Sequence, residues 1–328
     1  MRAGAGTIAP ARGTKQIPNS LDHHPLAPRR LWSRTAALRK TIPLLLLALS
    51  YPAVTSSQLT DAVIVGAGDI AGCDRIEAEA TAKLLDDIAG TVFTAGDNAY
   101  PTGRVVDFNK CYDPTWGRHR SRTRPAPGNH DYVTLQATPY FNYFGASAGP
   151  PGRGYYSYNL GAWHIISLNS NTNASSWGKA QEDWLRQDLT KNPATCTLAY
   201  WHHPTFSSGS EHGNSPHTLK LFKILYQYGV SALISGHDHI YERFAPQNPD
   251  GRADPKGIRE FIAGTGGAPL YKIGTIKPNS EVRNIVAHGV LKFTLKAAGY
   301  DWEFIPIAGQ TFSDRGTARC SGNGGMPK

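Results

Sequence analysis

Five apolar, strand-like runs of this sequence each end in residues of the types that bind metal ions. The clusters contain Asp69; Asp97 and Tyr100; Asn129, His130 and Asp131; His202 and His203; and His237, Asp238 and His239. A single histidine after a strand is usually an ordinary hydrogen-bonded residue. Five such clusters indicate more, because the loops at strand ends of an α/β sheet converge on ligand sites. The sequence therefore predicts a fold in which the carboxyl-terminal ends of these strands lie close together.

The segments between the clusters read as alternating strands and helices. The run before Asp69 predicts a buried strand, and residues 74–90 predict an amphipathic helix that Asp74 caps with Glu77 completing a capping box. No break in composition divides the chain after residue 58. The pattern predicts one α/β domain over residues 59–312 and a C-terminal tail over 313–328.

Residues 1–58 predict a leader. A basic segment at 29–40 precedes a short apolar core at 42–49 and then small and polar residues, which is the layout of a secretory signal. The core is shorter than the roughly 20 residues of a membrane span. We expect export to the periplasm or the extracellular space, with the leader either cleaved or kept as a membrane anchor.

The positive net charge does not indicate nucleic-acid binding. Of the 34 Lys and Arg residues, eight lie in 1–58 against one acid, which leaves 26 basic and 24 acidic residues in the rest of the chain. A nearly balanced domain lacks the basic face that polyanions require.

Four cysteines follow the leader, an even number that predicts disulfides in an exported chain. They allow three pairings, of which we favour Cys73–Cys111 with Cys196–Cys320. Their wide spacing, without a C-x-x-C motif, argues against a structural zinc site.

The first cluster has a second interpretation. Gly66, Gly68 and Ala71 after a strand fit the G-x-G-x-x-A fingerprint of a dinucleotide-binding turn, which would make the protein an NAD-dependent oxidoreductase. Asp69 lies inside that turn, where its charge would repel a pyrophosphate. This hypothesis also leaves the other four clusters without a role.

The residue types favour a site with oxygen and nitrogen ligands. Carboxylates, an amide, imidazoles and a phenol suit Fe, Mn or Zn. Seven such ligands are too many for one tetrahedral ion, and one bridging carboxylate would divide them between two ions about 3.5–4 Å apart.

The ordered motifs GD, GDNAY, GNHD, HH and GHDHIYER resemble those of the calcineurin-like metallophosphoesterases, and within them the purple acid phosphatases. They span Asp69 to Arg243, more than half the chain. The usual first motif of the superfamily is D-x-H, but Ala71 stands in the histidine position, and the purple acid phosphatase pattern GD-x-x-Y supplies Tyr100 instead. The resemblance implies a sandwich of two packed mixed β-sheets flanked by helices.

The resemblance also implies the metals and their ligands. Fe(III) would be held by Asp69, Asp97, Tyr100 and His239, and a divalent Zn, Mn or Fe ion by Asp97, Asn129, His202 and His237. His130, positioned by Asp131, would contact the phosphate or leaving group. His212 loosely matches a second substrate histidine of the plant enzymes, and His203 would support its neighbours.

The function implied is a dinuclear metal-dependent phosphatase that hydrolyses phosphate monoesters through a metal-activated water or hydroxide. The alternative is a phosphodiesterase or nucleotidase with the same two metals. A non-catalytic binding module is disfavoured because all seven presumed ligands are present. The expected partner is a small phosphorylated substrate.

Overall fold

The computed structural model describes residues 61–171 and 178–322. The strands of this part of the chain are β1 Ala62–Ala67, β2 Thr91–Ala95, β3 Thr123–Ala126, β4 Tyr156–Leu160, β5 Trp163–Ser167, β6 Cys196–Tyr200, β7 Ala232–Ser235, β8 Tyr241–Phe244, β9 Arg259–Ala263, β10 Ser280–Asn284, β11 Gly289–Lys296, β12 Gly299–Pro306 and β13 Arg315–Arg319. The helices are α1 Glu77–Asp86, α2 Val105–Asp107, α3 Thr138–Phe144, α4 Gly178–Lys191 and α5 Leu219–Gln227. The predicted leader lies outside the described residues. Within them, no helix combines the length and apolar character needed to cross a membrane.

The strands form two mixed sheets. The first has the order β13-β12-β11-β1-β2-β3, and the second has the order β10-β8-β9-β7-β6-β5-β4. β1, β2 and β3 are parallel to one another. In the second sheet β5, β6, β7 and β9 are parallel. The parallel strands form one side of the first sheet and the middle of the second. Ligand sites in such sheets lie at the carboxyl-terminal ends of parallel strands.

The two sheets pack face to face around a buried core. Apolar side chains of both sheets form one cluster, including Phe93 and Phe293 from the first and Leu198 and Phe261 from the second. The rings of Phe261 and Phe293 are 5.1 Å apart and nearly perpendicular, an edge-to-face geometry that adds to the burial of their surface. The predicted sandwich is confirmed.

Helices cover the outer faces of both sheets. α1 and α3 bury their apolar residues with β1 and β2, in a cluster that includes Leu85, Tyr140 and Phe144. α4 and α5 bury Leu185 and Phe222 against the second sheet. These strands are apolar on both faces because both faces are covered.

The predicted start of the first helix is wrong. α1 begins at Glu77, its N-terminal flanking residue is Ile76, and no side chain caps it. Asp74 instead lies beside the Cys73–Cys111 disulfide in a turn closed by a hydrogen bond from the Arg75 amide to the Gly72 carbonyl. Those constraints hold Asp74 away from the helix end.

The sheet continues beyond the expected domain limit at residue 312. β13 pairs with β12 along Arg315–Arg319. The Cys196–Cys320 disulfide then joins the end of this strand to the start of β6 in the other sheet. Part of the segment expected as a tail, 313–328, therefore belongs to the sandwich. Both predicted disulfides are confirmed.

Candidate functional site

The ends of five parallel strands bring the predicted ligands together. Asp69 follows β1, Asp97 follows β2 and Asn129 follows β3, while His202 and His237 follow β6 and β7 of the other sheet. Asp69, Asp97 and His202 are buried and lie close enough to share one cation. The site therefore lies between the two sheets, at the edge that the strand order creates.

Three of these residues adopt the left-handed backbone conformation. The φ angle is 59° at Asp69, 50° at Asp97 and 69° at His237. This conformation is uncommon for residues other than glycine, costs of order 1–3 kcal/mol each, and persists where the surroundings enforce it. Three instances in one cluster distinguish this edge of the sheets as the candidate functional site.

Tyr100 lies at the centre of the first group of ligands. Its hydroxyl oxygen is 3.0 Å from Asp69 Oδ1, 3.1 Å from Asp97 Oδ2 and 3.0 Å from His239 Nε2. His239 Nδ1 donates to the Pro269 carbonyl, which leaves Nε2 with a lone pair facing the group. Neighbouring ligands at right angles around an ion with bonds of about 2.1 Å are about 3.0 Å apart, so these spacings suit coordination.

His202 lies at the centre of the second group. Its Nε2 atom is 3.2 Å from Asp97 Oδ2, 2.9 Å from Asn129 Oδ1 and 3.2 Å from His237 Nδ1. Its Nδ1 atom donates to the Ala95 carbonyl, so Nε2 faces the other ligands. Asp97 Oδ2 belongs to both groups, as expected for a bridging atom.

The electrostatics of these groups fit cations. Burial and then the charges of Asp69 and Asp97 raise the pKa of Tyr100 well above its ordinary value. One phenolic proton cannot satisfy three acceptor atoms. A cation among them would favour the charged form of each ligand and remove the conflict.

The surroundings of His202 also favour a positive charge at this position. Burial alone would lower the pKa of His202, but the charge and hydrogen bond of Asp97 raise it to about 9. Binding of a metal ion here would displace the proton of the charged imidazole.

Hydrogen bonds from the backbone hold the buried carboxylates in place. The His237 amide donates to Asp69 Oδ2, and the His130 amide donates to Asp97 Oδ1. The loop carrying His130 passes so close that a Cβ atom on Gly128 would lie 2.1 Å from Asp97 Oδ1. Glycine is required there for the loop to reach the carboxylate.

The predicted role of Asp131 is not the one that the structure shows. Its carboxylate accepts hydrogen bonds from the Asn98 side chain and the Gly128 amide, and it is fully buried away from the His130 imidazole. His130 Nδ1 lies 2.6 Å from the Pro101 carbonyl oxygen instead. The reason is that the loop after Asn129 turns, so adjacent side chains point apart. Asp131 holds the two loops together, and Pro101 orients His130.

His130 and His212 lie at the open side of the cluster. His130 Nε2 is 3.9 Å from Asp97 Oδ2, and its side chain is about one third exposed at 35%. The His212 ring is stacked on the His237 ring, with centroids 3.9 Å apart. The loose sequence match at His212 therefore corresponds to a position beside a predicted ligand.

His203 lies beside two of the predicted ligands, His202 and His237. Its ring is 4.3 Å from the His237 ring and 4.9 Å from the His202 ring, and its Nδ1 atom pairs with the Ser170 hydroxyl.

Tyr271 is a residue of the site that the sequence motifs do not include. Its ring is stacked on His239 at 3.9 Å and lies 5.7 Å from the His212 ring. It follows the glycine-rich end of β9, another parallel strand that ends at the same edge. That strand end, rather than the type of the residue, is the signal that identifies it.

A model of the calcineurin-like phosphoesterase family matches residues 60–241, which contain all seven predicted ligands. The match covers more than half of the chain. The chain belongs to this family.

Proteins with similar sequences include plant and fungal phosphatases. Purple acid phosphatase 15 of Arabidopsis thaliana is 30% identical over 182 residues, which are 49% of this chain and 34% of that protein. An acid phosphatase of Aspergillus ficuum is 26% identical over 55% of this chain and 39% of its own length. The chain thus matches less than half the length of these curated relatives.

Solved structures of the same fold have lower identity. A purple acid phosphatase from yellow lupin seeds superposes with a TM-score of 0.65 at 18% identity, covering 80% of this chain and 54% of its own. GAP50, the anchor in the inner membrane complex of Plasmodium, superposes with a TM-score of 0.64 at 14% identity, covering 80% of this chain and 89% of its own. Similarity at this level establishes the fold.

Proposed function

We propose that this protein is a dinuclear metal-dependent phosphatase that hydrolyses phosphate monoesters, of the acid phosphatase type. The observation that carries the proposal is the convergence of two ligand groups on Asp97 Oδ2, 3.1 Å from the Tyr100 hydroxyl and 3.2 Å from His202 Nε2. Family membership and the similar plant and fungal acid phosphatases support the same activity.

Each group of ligands would hold one ion. Asp69, Asp97, Tyr100 and His239 suit Fe(III), since a phenolate and carboxylates are hard, anionic ligands. Asp97, Asn129, His202 and His237 would hold a divalent Zn, Mn or Fe ion. When bound, the two ions would neutralise the phosphate and lower the pKa of a water molecule for attack on phosphorus.

The histidines at the open side would act on the substrate. His130 has its Nδ1 atom committed to the Pro101 carbonyl, which leaves Nε2 to donate a proton or hydrogen bond to a phosphate or leaving-group oxygen. His212 and Tyr271 lie against the rings of His237 and His239, where a second donor would meet the substrate. Removal of a positioned proton donor typically costs 10²–10⁴-fold in rate, roughly speaking.

The test is a comparison of substrates with one metal-loaded preparation. We expect p-nitrophenyl phosphate to be hydrolysed with a higher kcat/KM than bis(p-nitrophenyl) phosphate or a nucleoside monophosphate. A preference for the diester or the nucleotide would instead establish the alternative, a phosphodiesterase or nucleotidase at the same site. If none of the three substrates is hydrolysed, the proposed activity is refuted.

We also propose that the protein is exported. The two disulfides suit an oxidising compartment, and the leader at 1–58 has the layout of a signal. The proposed organisation is a leader followed by a single catalytic domain that extends to the disulfide at Cys320.

A further inference from the structure

The loop of residues 205–213, between β6 and α5, carries His212 to the site. Three buried carboxylates accept hydrogen bonds from its backbone amides. Glu260 accepts from Thr205 and Phe206, Glu242 accepts from Ser208, and Asp238 accepts from His212 and Gly213. These side chains attach the loop to the second sheet, and its backbone pairs with residues 272–274.

Asp238 makes the attachment nearest to His212. It lies between the predicted ligands His237 and His239 and is fully buried. Its Oδ1 atom accepts from the His212 amide at 3.2 Å, and its Oδ2 atom accepts from the Gly213 amide at 3.0 Å. The Ser207 hydroxyl donates to the same Oδ2 atom. Several hydrogen bonds to one buried carboxylate fix the positions of the groups that donate them.

The loop is shaped to enclose this carboxylate. A Cβ atom on Gly209 would lie 2.2 Å from the carboxyl carbon of Asp238, so only glycine permits this approach. The Gly209 amide in turn donates to the Ser207 hydroxyl oxygen. Both sides of the loop therefore close on one side chain.

The placement of His212 depends on this attachment. Its imidazole is exposed and stacks on His237, but within residues 61–171 and 178–322 no hydrogen bond to that imidazole is present. Ring stacking alone contributes about 0.5–1.5 kcal/mol. The backbone of residues 212–213 must therefore supply most of the positional control.

We propose that Asp238 is a positioning residue that fixes the backbone of residues 207–213 and thereby holds the His212 imidazole over the substrate site. This inference rests on the proposed function, in which His212 contacts the phosphate ester. Asp238, the residue between the two histidines of the GHDH motif, would thus act on the loop of residues 205–213.

A double-mutant cycle tests the coupling. In metal-loaded protein, Asp238→Ala is expected to lower kcat/KM for p-nitrophenyl phosphate about 10- to 100-fold, since small misplacements of a catalytic group have effects of that order. His212→Ala is expected to have a similar effect. In the His212→Ala background, Asp238→Ala should cost less than about twofold, because residues that act through one another are not additive.

A second measurement follows the loop without using activity. Amide hydrogen exchange of residues 207–213 should become at least about tenfold faster in Asp238→Ala, while the bound metal per chain stays unchanged. Gly209→Ala should also speed the exchange of residues 207–213 at unchanged metal content, because the added methyl group displaces the Asp238 carboxylate. The Gly209→Ala variant therefore tests the attachment even if Asp238→Ala fails to fold.

The matched control is a partly buried, hydrogen-bonded carboxylate that contacts β4 and β5 rather than the loop. Asp188 accepts from the Ser157 hydroxyl and pairs with His164. Asp188→Ala is expected to lower stability but leave the exchange of residues 207–213 and the effect of His212→Ala unchanged.

Three results would overturn the proposal. Equal losses from Asp238→Ala with and without His212 would show that Asp238 does not act through His212. Loss of bound metal in Asp238→Ala at unchanged loop exchange would place its role at the metal ligands. Unchanged exchange of residues 207–213 in Asp238→Ala would refute the attachment of the loop. Failure of the wild-type protein to hydrolyse any phosphate ester would refute the proposed function, and the exchange measurement does not depend on that result.

Discussion

At the scale of single residues, the candidate site is defined by atoms that lie close to several potential ligands at once. Tyr100 is surrounded by two carboxylates and an imidazole, and Asp97 Oδ2 is shared between two groups of ligands. Each predicted ligand is assigned to one ion or the other by the atoms it lies near, not by how deeply it is buried. Replacement of one ligand should therefore affect one ion more than the other.

Tyr100→Phe removes the phenol from the first group. The iron-loaded wild-type protein is expected to be violet, because a phenolate bound to Fe(III) absorbs visible light, and Tyr100→Phe is expected to lose that band. Visible absorption spectra of both proteins at equal iron content provide the measurement. An unchanged spectrum, or a colourless iron-loaded wild type, would be incompatible with a Tyr100–iron bond.

Asn129→Ala removes a ligand of the second group alone. We expect one ion per chain to bind more weakly and hydrolysis to fall with it, because the amide oxygen lies 2.9 Å from His202 Nε2. Metal analysis and kinetics of the same preparation provide the measurement. Asn109→Ala, at an exposed position, is the control. Wild-type activity with full metal content in Asn129→Ala would refute the second site.

The convergence of the seven candidate ligands could be predicted because residue type and strand position agree at each of them. The role of Asp131 could not, since the direction of its side chain depends on the turn after Asn129. Tyr271 was also beyond prediction, because a tyrosine several residues after a strand carries no signal until the strand is known to end at the site.

At the scale of elements, the strands that end at the site could be predicted from apolar runs followed by polar clusters. β13 could not, since it is a polar edge strand that owes its place to backbone pairing with β12 and to contact of Gly316 with the Trp302 ring. The start of α1 was predicted wrongly, with a cap at Asp74, because the sequence does not show that a disulfide and a turn hold Asp74 away from the helix.

Glu260 on β9 gives the fold a pH dependence. Burial raises its pKa from 4.5 to about 8, although the amides of Thr205 and Phe206 oppose the shift. The folded protein then holds a proton that the unfolded chain loses above about pH 4.5. Stability is therefore expected to fall as the pH rises from about 4.5 to 8, by up to about 1.4 kcal/mol per pH unit.

Urea unfolding of metal-loaded protein at pH 5 and pH 8 provides the measurement. Glu260→Gln should reduce the difference in stability between the two pH values, and Glu303→Gln, at a half-exposed position, should leave that difference unchanged. A wild-type protein more stable at pH 8 than at pH 5, with the same difference in Glu260→Gln, would contradict the assignment.

At the scale of the whole molecule, the two sheets form the site jointly, so their relative position matters. The core between them and the Cys196–Cys320 disulfide both fix that position. The disulfide closes a segment of 124 residues, and a cross-link of such length stabilises a protein mainly by restricting its unfolded chain.

The paired replacement Cys196→Ser with Cys320→Ser is expected to lower the free energy of unfolding by about 2–4 kcal/mol. The ligands lie at the opposite ends of the strands, so the metal content and kcat/KM of the folded protein should stay unchanged. Denaturant unfolding and metal analysis provide the measurement. Unaltered stability would show that packing alone fixes the sheets.

The most direct test of the central claim is a titration of activity with metal. Protein stripped of metal by a chelator should hydrolyse p-nitrophenyl phosphate at a negligible rate. Activity should return on addition of Fe(III) with a divalent ion and reach its maximum at two ions bound per chain. Full activity in the stripped protein, or a maximum at one bound ion per chain, would contradict a two-metal phosphatase.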